Sequence, residues 1–211
     1  MEITIRKASA EDSAVIAEII WLSEKADYAL YSYSKLFNLQ HDEFIKAFSK
    51  IVNNPFDGHP LGYKSYWVIQ LDGIIVGGFS VYEEKSINGS SILASGALMQ
   101  YFPKSEVMIS FKKLAELKYL QIEKAVGTFQ LDSVAVFPGM EGRGIFSRAF
   151  HQWTLLSECQ NGNQLMEVQV WNQNINAIRV YEKNGFILHQ QGLTNHEGLG
   201  RVLMRRAVIS E

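Results

Sequence analysis

A mixed α/β domain is the fold class predicted by three patterns in this 211-residue chain. Short alternating or continuous apolar runs read as strands, longer stretches with helical spacing lie between them, and one strand passes through a glycine-bearing loop straight into an amphipathic helix. That last pattern is the run 131–150, LDSVAVFPGMEGRGIFSRAF. Its apolar strand breaks at Pro138, and Gly139, Gly142 and Gly144 precede the helix. Backbone N–H groups in the first turn of a helix have no partner within it, and glycines remove the side chains that would hold an anion away. A ligand carrying a pyrophosphate is the expectation.

The other elements follow in order. Ile3 and Ile5 alternate with polar residues and predict a first strand. Ser9 with Asp12 three places on has the form of an N-cap, so a helix is expected over 10–26. A second is expected over 41–52, where Phe44, Ile45, Phe48 and Ile51 recur at helical spacing. The stretch NNPFDGHPLG, 53–62, then breaks the chain. Strands over 65–71 and 74–82 flank Asp72-Gly73, which favours a type I′ hairpin because glycine tolerates a positive φ. A polar run over 83–91 leads into an insertion over about 84–128, with a helix expected over 104–119. From 131 onward the order is strand, loop, helix to about 158, strand 164–171, helix 176–183, and strands near 186–190 and 201–208. Asn184-Gly185 supplies a helix stop. Ile145, Ala149, Phe150, Trp153 and Leu156 form one stripe and read as core.

The length suits one domain spanning 1–211, long enough to bury a substantial core. With 20 basic against 22 acidic residues and a net charge of −2, no polybasic surface points to nucleic acid or to a membrane. The N-terminal MEITIRKASAED lacks the apolar core of a secretory signal, and the apolar run 73–82 is far shorter than the ~18 residues a spanning helix needs. A cytoplasmic protein is expected. Cys159 is the lone cysteine, so a cysteine cluster for zinc is excluded, and the five histidines lack ligand spacing. No metal is expected.

Two ordered motifs carry a resemblance. Val136, Pro138, Gly142 and Gly144 look like V-x-P-x-x-[RQ]-G-x-G-x-[GA], and Asn174, Ala177, Tyr181, Gly185 and Phe186 complete N-x-x-A-x-x-x-Y-x-x-x-G-F. Together they resemble the GNAT family of acyl-CoA-dependent N-acetyltransferases. Two positions depart from the pattern: Glu141 stands where Arg or Gln is usual, and Phe146 where a small residue is usual. A carboxylate beside a pyrophosphate opposes binding unless it turns away, with Arg143 and Arg148 available to offset it.

The resemblance implies a mostly antiparallel central sheet flanked by helices, with the insertion before the fourth strand. It implies acetyl-CoA as acyl donor and direct transfer, in a ternary complex, to a primary amine of a small molecule or peptide. The pyrophosphate would meet the N–H groups of Glu141, Gly142, Arg143, Gly144, Ile145 and Phe146, while the backbone of Val134, Ala135 and Val136 pairs with the pantetheine arm. Tyr181 becomes the candidate acid for the departing thiolate, and Asn174 lies on the same helical face. Asp132, read at the same strand parity as Val134 and Val136, is the candidate base or ammonium anchor, with Glu167 second. Tyr28, Tyr31, Tyr33, Phe37 and Trp171 are left unassigned near the expected acceptor pocket. A homodimer stays open. The alternative, prompted by Glu141, is a non-catalytic acyl-CoA-binding sensor or assembly module.

Overall fold

Asp72 and Gly73 both adopt left-handed φ values, 49° and 83°, as a type I′ turn requires. The turn joins β2 (Tyr66–Leu71) to β3 (Ile74–Glu83) with Leu71 opposite Ile74. This hairpin anchors a seven-stranded sheet in a computed structural model that describes residues 2–25, 32–156 and 164–208. Tyr28, Tyr31 and Cys159 lie outside the described residues. The remaining strands are β1 (Ile3–Lys7), β4 (Phe129–Val136), β5 (Gln164–Trp171), β6 (Ile187–Thr194) and β7 (Gly200–Val208). Their order is β1-β2-β3-β4-β5-β7-β6, and only β4 and β5 run parallel.

Each face of the sheet carries its own core. On one, α6 (Ile145–Leu155) and α7 (Ile175–Lys183) pack Ile145, Phe146, Phe150, Trp153 and Tyr181 against Phe79, Leu131 and Val168. On the other, α1 (Ser13–Ser23) and α3 (His41–Val52) bury Ile16, Ile20, Phe44 and Phe48 against Tyr66 and Val68. Phe44 and Phe48, one helical turn apart, stack at 4.0 Å, and full burial of such a ring stabilises the fold by about 1.5–3 kcal/mol.

The first helix starts later than expected. Ala10–Asp12 is a 3₁₀ turn, and α1 begins at Ser13. The Asp12 carboxylate accepts the Ser9 N–H at 2.8 Å and both guanidinium arms of Arg6 at 2.8 Å, which ties the entry of the helix to β1. A four-residue helix, α2 (Tyr33–Leu36), precedes α3.

The insertion holds two helices where one was expected. α4 (Gly89–Met99) is followed by α5 (Lys104–Glu116), which ends three residues before 119 and passes into a 3₁₀ turn over Lys118–Leu120. The glycines and serines of GSSILASGALM have poor helix propensity. Burial of Ala94, Ala97 and Leu98 against the α1/α3 core overrides it, and the Glu84 carboxylate caps the helix by accepting the Ser90 N–H at 2.9 Å.

Glu167 anchors the chain's return from the insertion. Fully buried on β5, it accepts hydrogen bonds from the Ala125 N–H (3.1 Å), Gln130 Nε2 (2.8 Å) and Arg205 Nε (3.1 Å). Burial alone would raise its pKa; the bonds from Gln130 and Arg205 outweigh that and hold it below the usual value. With its oxygens engaged this way, Glu167 serves the fold and is withdrawn as a second candidate base. Among the described residues, no helix is long and apolar enough to cross a membrane.

Candidate active site

A single extra residue in β4 organises the site. Gly78 lies opposite Ala135 and Ser80 opposite Asp132, so Ser133 and Val134 together face Phe79 alone. Ser133 takes a left-handed φ of 48° to make this bulge. Side-chain alternation reverses across it. Leu131, Val134 and Val136 all pack toward α6, whereas Ala135 joins the α1/α3 core. Asp132 therefore does not share a face with Val134 and Val136, and the expected parity is corrected: its side chain reaches Tyr82 on the α1 side.

The bulge coincides with a split in the sheet. β4 pairs with β5 only over Phe129, Leu131 and the residue between them, against Met166 to Val168. Past that point, among the described residues, the β5-facing backbone of 132–136 has no strand beside it, while β5 continues along β7 to Trp171. The gap opens toward the glycine loop.

That loop is held by its own side chains. Glu141 folds back so that its carboxylate accepts the Gly139 N–H at 2.7 Å, and Arg143 donates to the Gly139 carbonyl at 3.0 Å. Arg148 reaches the Arg143 carbonyl at 3.4 Å. Gly144 is the N-cap of α6 at φ 68°, and the Arg148 N–H bonds its carbonyl at 3.1 Å as the first helical bond. The N–H groups of Ile145 and Phe146, ahead of that bond, have no acceptor among the described residues. A Cβ on Gly142 or Gly144 would meet no atom of the described residues within 4 Å beyond its own chain neighbours, so the loop face is open. Phe146 leaves the loop altogether: its ring is buried, edge-on to Phe79 at 5.9 Å and stacked on Phe150 at 5.5 Å.

α7 faces the loop across this core. Asn174 caps it, its Oδ1 accepting the Ala177 N–H at 3.1 Å. Tyr181 is buried two turns on, its ring edge-on to Phe146 at 6.2 Å and to Phe186 at 5.7 Å. Its hydroxyl has no hydrogen-bond partner among the described residues. Burial, and then the charge of Asp132, raise its pKa above the ordinary phenol value, so it holds its proton at neutral pH.

Beyond the split lies a cavity of about 130 Å³, lined in part by Tyr33, Ser90, Ala94, Phe111, Lys124 and Asp132. Asp132 accepts the Tyr82 hydroxyl at 3.1 Å and the Ser133 N–H at 2.7 Å. Lys124, from the insertion, donates to the Tyr82 oxygen at 2.8 Å and to Ser90 at 3.3 Å, and Ser90 in turn donates to Glu84. Glu24 closes α1 and accepts the Tyr33 N–H at 2.9 Å; burial, reinforced by the Asp132 charge, pushes its pKa up to about 8. Arg201 lies 4.8 Å over the Trp171 ring, and Phe37 stacks on Phe102 at 4.1 Å. Tyr82, Lys124, Glu24 and Arg201 escape sequence reasoning, because in linear order they are a strand end, a loop lysine, a helix end and a strand start.

A glycine loop opening onto a helix N-terminus, a split between β4 and β5, and a cavity lined by Lys124 and Asp132 thus lie together on a mixed α/β sheet. The chain belongs to the GNAT acetyltransferase family, whose model matches residues 18–186. Among solved structures it is similar to an N-acetyltransferase from Staphylococcus aureus Mu50, with 17% identity, a TM-score of 0.66, and 96% and 99% of the two chains covered. An acetyltransferase-like protein of Salmonella typhimurium, solved with its cofactor acetyl-CoA, shares 17% identity at a TM-score of 0.55, covering 99% of this chain and 95% of the other. The ribosomal-protein-S18-alanine N-acetyltransferase of Escherichia coli shares 11% at a TM-score of 0.54, covering 100% and 96%. No curated protein matches the chain. At these identities the structures speak for the fold.

Proposed function

We propose that residues 1–211, with the insertion over about 84–128, work as one domain that transfers an acetyl group from acetyl-CoA to a primary amine in a ternary complex. The observation that carries this reading is the split between β4 and β5, which has the glycine loop at its mouth and Tyr181 and Asp132 on its opposite sides. The N–H groups from Glu141 to Phe146 take the pyrophosphate, with Glu141 turned back on Gly139 and so drawn away from it. The free edge of Val134, Ala135 and Val136 pairs with the pantetheine amides, and the Asn174 amide borders the same channel.

In the reaction the amine nitrogen attacks the thioester carbonyl, a C–N bond forms and the C–S bond breaks. The amine's proton passes to Asp132 directly or through water, and the departing thiolate takes the Tyr181 proton. Burial, and then the Asp132 charge, raise the phenol's pKa, so Tyr181 still carries the proton that the thiolate takes.

Calorimetric titration with acetyl-CoA, CoA and NAD, followed by Tyr181→Phe, tests the reading. Selective acetyl-CoA binding is expected. Tyr181→Phe should then lower kcat by about 10²-fold or more while the CoA dissociation constant stays within about twofold. Unchanged turnover in the variant would remove Tyr181 from its role. Acetyl-CoA binding with no turnover on any amine would favour the non-catalytic module.

A further inference from the structure

Lys124 is held in an unusual way for a cation in a pocket. Its two acceptors, the Tyr82 and Ser90 oxygens, are neutral hydroxyls, and each hydroxyl donates onward to a carboxylate, Tyr82 to Asp132 and Ser90 to Glu84. An ammonium has three donors. Two are used here, and among the described residues no carboxylate lies within ion-pair distance of the group to take the third. Asp132 is the complement: its hydrogen bonds from Tyr82, the Ser133 N–H and the Ser133 hydroxyl leave a carboxylate with lone-pair capacity on the same cavity wall. The Tyr82 oxygen bridges the two at 2.8 Å and 3.1 Å, so ammonium and carboxylate stand at most about 6 Å apart.

A fixed cation and a fixed anion at that spacing, in a cavity well under the ~300–1,000 Å³ of ordinary ligand pockets, select for charge pattern more than for size. A diamine would place its second ammonium against Lys124. A plain alkylamine would fill the Asp132 end and leave the third Lys124 donor without an anionic acceptor. A molecule with an amine and a carboxylate separated by one or two carbons satisfies both ends. Tyr33, Ala94 and Phe111 then form a largely apolar wall for a small side chain. Resting on the acetyl-transfer reading above, we infer that the acceptor is a short zwitterion of the amino-acid type, its ammonium held by Asp132 and its carboxylate by Lys124. Lys124 is then a specificity-determining residue supplied by the insertion.

The test uses the full chain and matched probes: glycine, alanine, β-alanine and phenylalanine against methylamine, ethylamine and 2-phenylethylamine, with 1,4-diaminobutane as the doubly charged member. Acetylation is followed as kcat/KM, and binding of the same probes to the CoA-saturated protein is followed by calorimetry. At least one amino acid should exceed its matched amine by ~10-fold or more, as expected when a buried polar group would otherwise lose its partner. In Lys124→Met, which keeps an unbranched apolar stem beside Tyr82, the gap should close to within about threefold while the KM for acetyl-CoA is unchanged.

Three results overturn the inference: the plain amine or diamine matching or beating every amino acid, Lys124→Met lowering both members of a pair equally, as a mere clamp on the insertion would, or no amino acid binding or reacting. In all three, retained acetyl-CoA binding leaves the donor side of the proposed function standing. Loss of that binding in the unaltered protein defeats the acetyl-transfer reading itself, and the inference with it.

Discussion

Gly144→Ala separates the conformational role of the loop from its ligand role. Gly144 sits at φ 68° and ψ 19° as the N-cap of α6. A Cβ in that left-handed region costs about 1–2 kcal/mol, offset in part by the ~0.4–1 kcal/mol that alanine removes from the freedom of the unfolded chain. Among the described residues, no atom beyond the chain neighbours lies within 4 Å of the new methyl group, so no clash adds to the strain. The net loss of stability is therefore about 1 kcal/mol, or roughly 2–4 °C in Tm for a chain of this size. The expected loss of affinity is larger. A methyl group on the open loop face displaces a phosphate from N–H donors, and forfeiting one charge-assisted hydrogen bond of about 1.5–3 kcal/mol weakens CoA binding by about 10- to 100-fold.

Gly127→Ala supplies the control. Gly127 has φ 82° and equally open surroundings, but it lies at the end of the insertion, beyond the N-terminal end of β4. Both variants should melt a few degrees early, and Gly144→Ala alone should lose CoA in a calorimetric titration. Equal CoA binding by Gly144→Ala and the unaltered protein would refute the assignment of the loop as pyrophosphate cradle. Equal weakening in both variants would show that strain, rather than the methyl group, is responsible.

Two further predictions concern the frame. The hydrogen bonds from Arg6 pull the Asp12 pKa down from 3.8 to about 2. A depressed carboxylate contributes stability that is fully present above its unfolded value and is lost as pH falls through the folded one. The loss should therefore fall between about pH 4 and pH 2, and amount to about 1–2 kcal/mol once the partial exposure of Arg6 is discounted; denaturant midpoints across that range should flatten in Asp12→Asn. Arg205→Met leaves Glu167 buried without its cation and should cost about 3 kcal/mol, seen as a Tm drop of roughly 6 °C or more. A drop under ~2 °C would mean that Gln130, Thr128 and the backbone at Ala125 satisfy the carboxylate without Arg205.

Elements governed by short-range periodicity were legible in the sequence. α3 spans the expected 41–52, β5 the expected 164–171, and Asp72-Gly73 forms the turn its residue types demand. α4 was missed because its composition opposes a helix and tertiary burial decides. The bulge was missed for another reason: Ser133 is an ordinary residue for a strand, and nothing in LDSVAV marks one position as left-handed. The acceptor side is the least legible part. Tyr82 and Asp132 are 50 positions apart and Lys124 and Tyr82 are 42 apart, so their meeting depends on the register of β3 with β4 and on the path of the insertion. The loop and α7, whose functional groups lie within a few residues of one another, could be read directly.

The bulge at Ser133 also sets what this strand can tolerate. In a strand, a shift of one residue sends every later side chain to the opposite face. Substitutions along 129–136 leave the register of the strand as it is, but removing or adding a single residue there would turn Val134 and Val136 toward α1 and Ala135 toward α6, or move Asp132 to the other side of the sheet. The segment is therefore constrained in length more than in spelling. Viable sequence changes in it should be replacements, with insertions and deletions confined to the loops on either side.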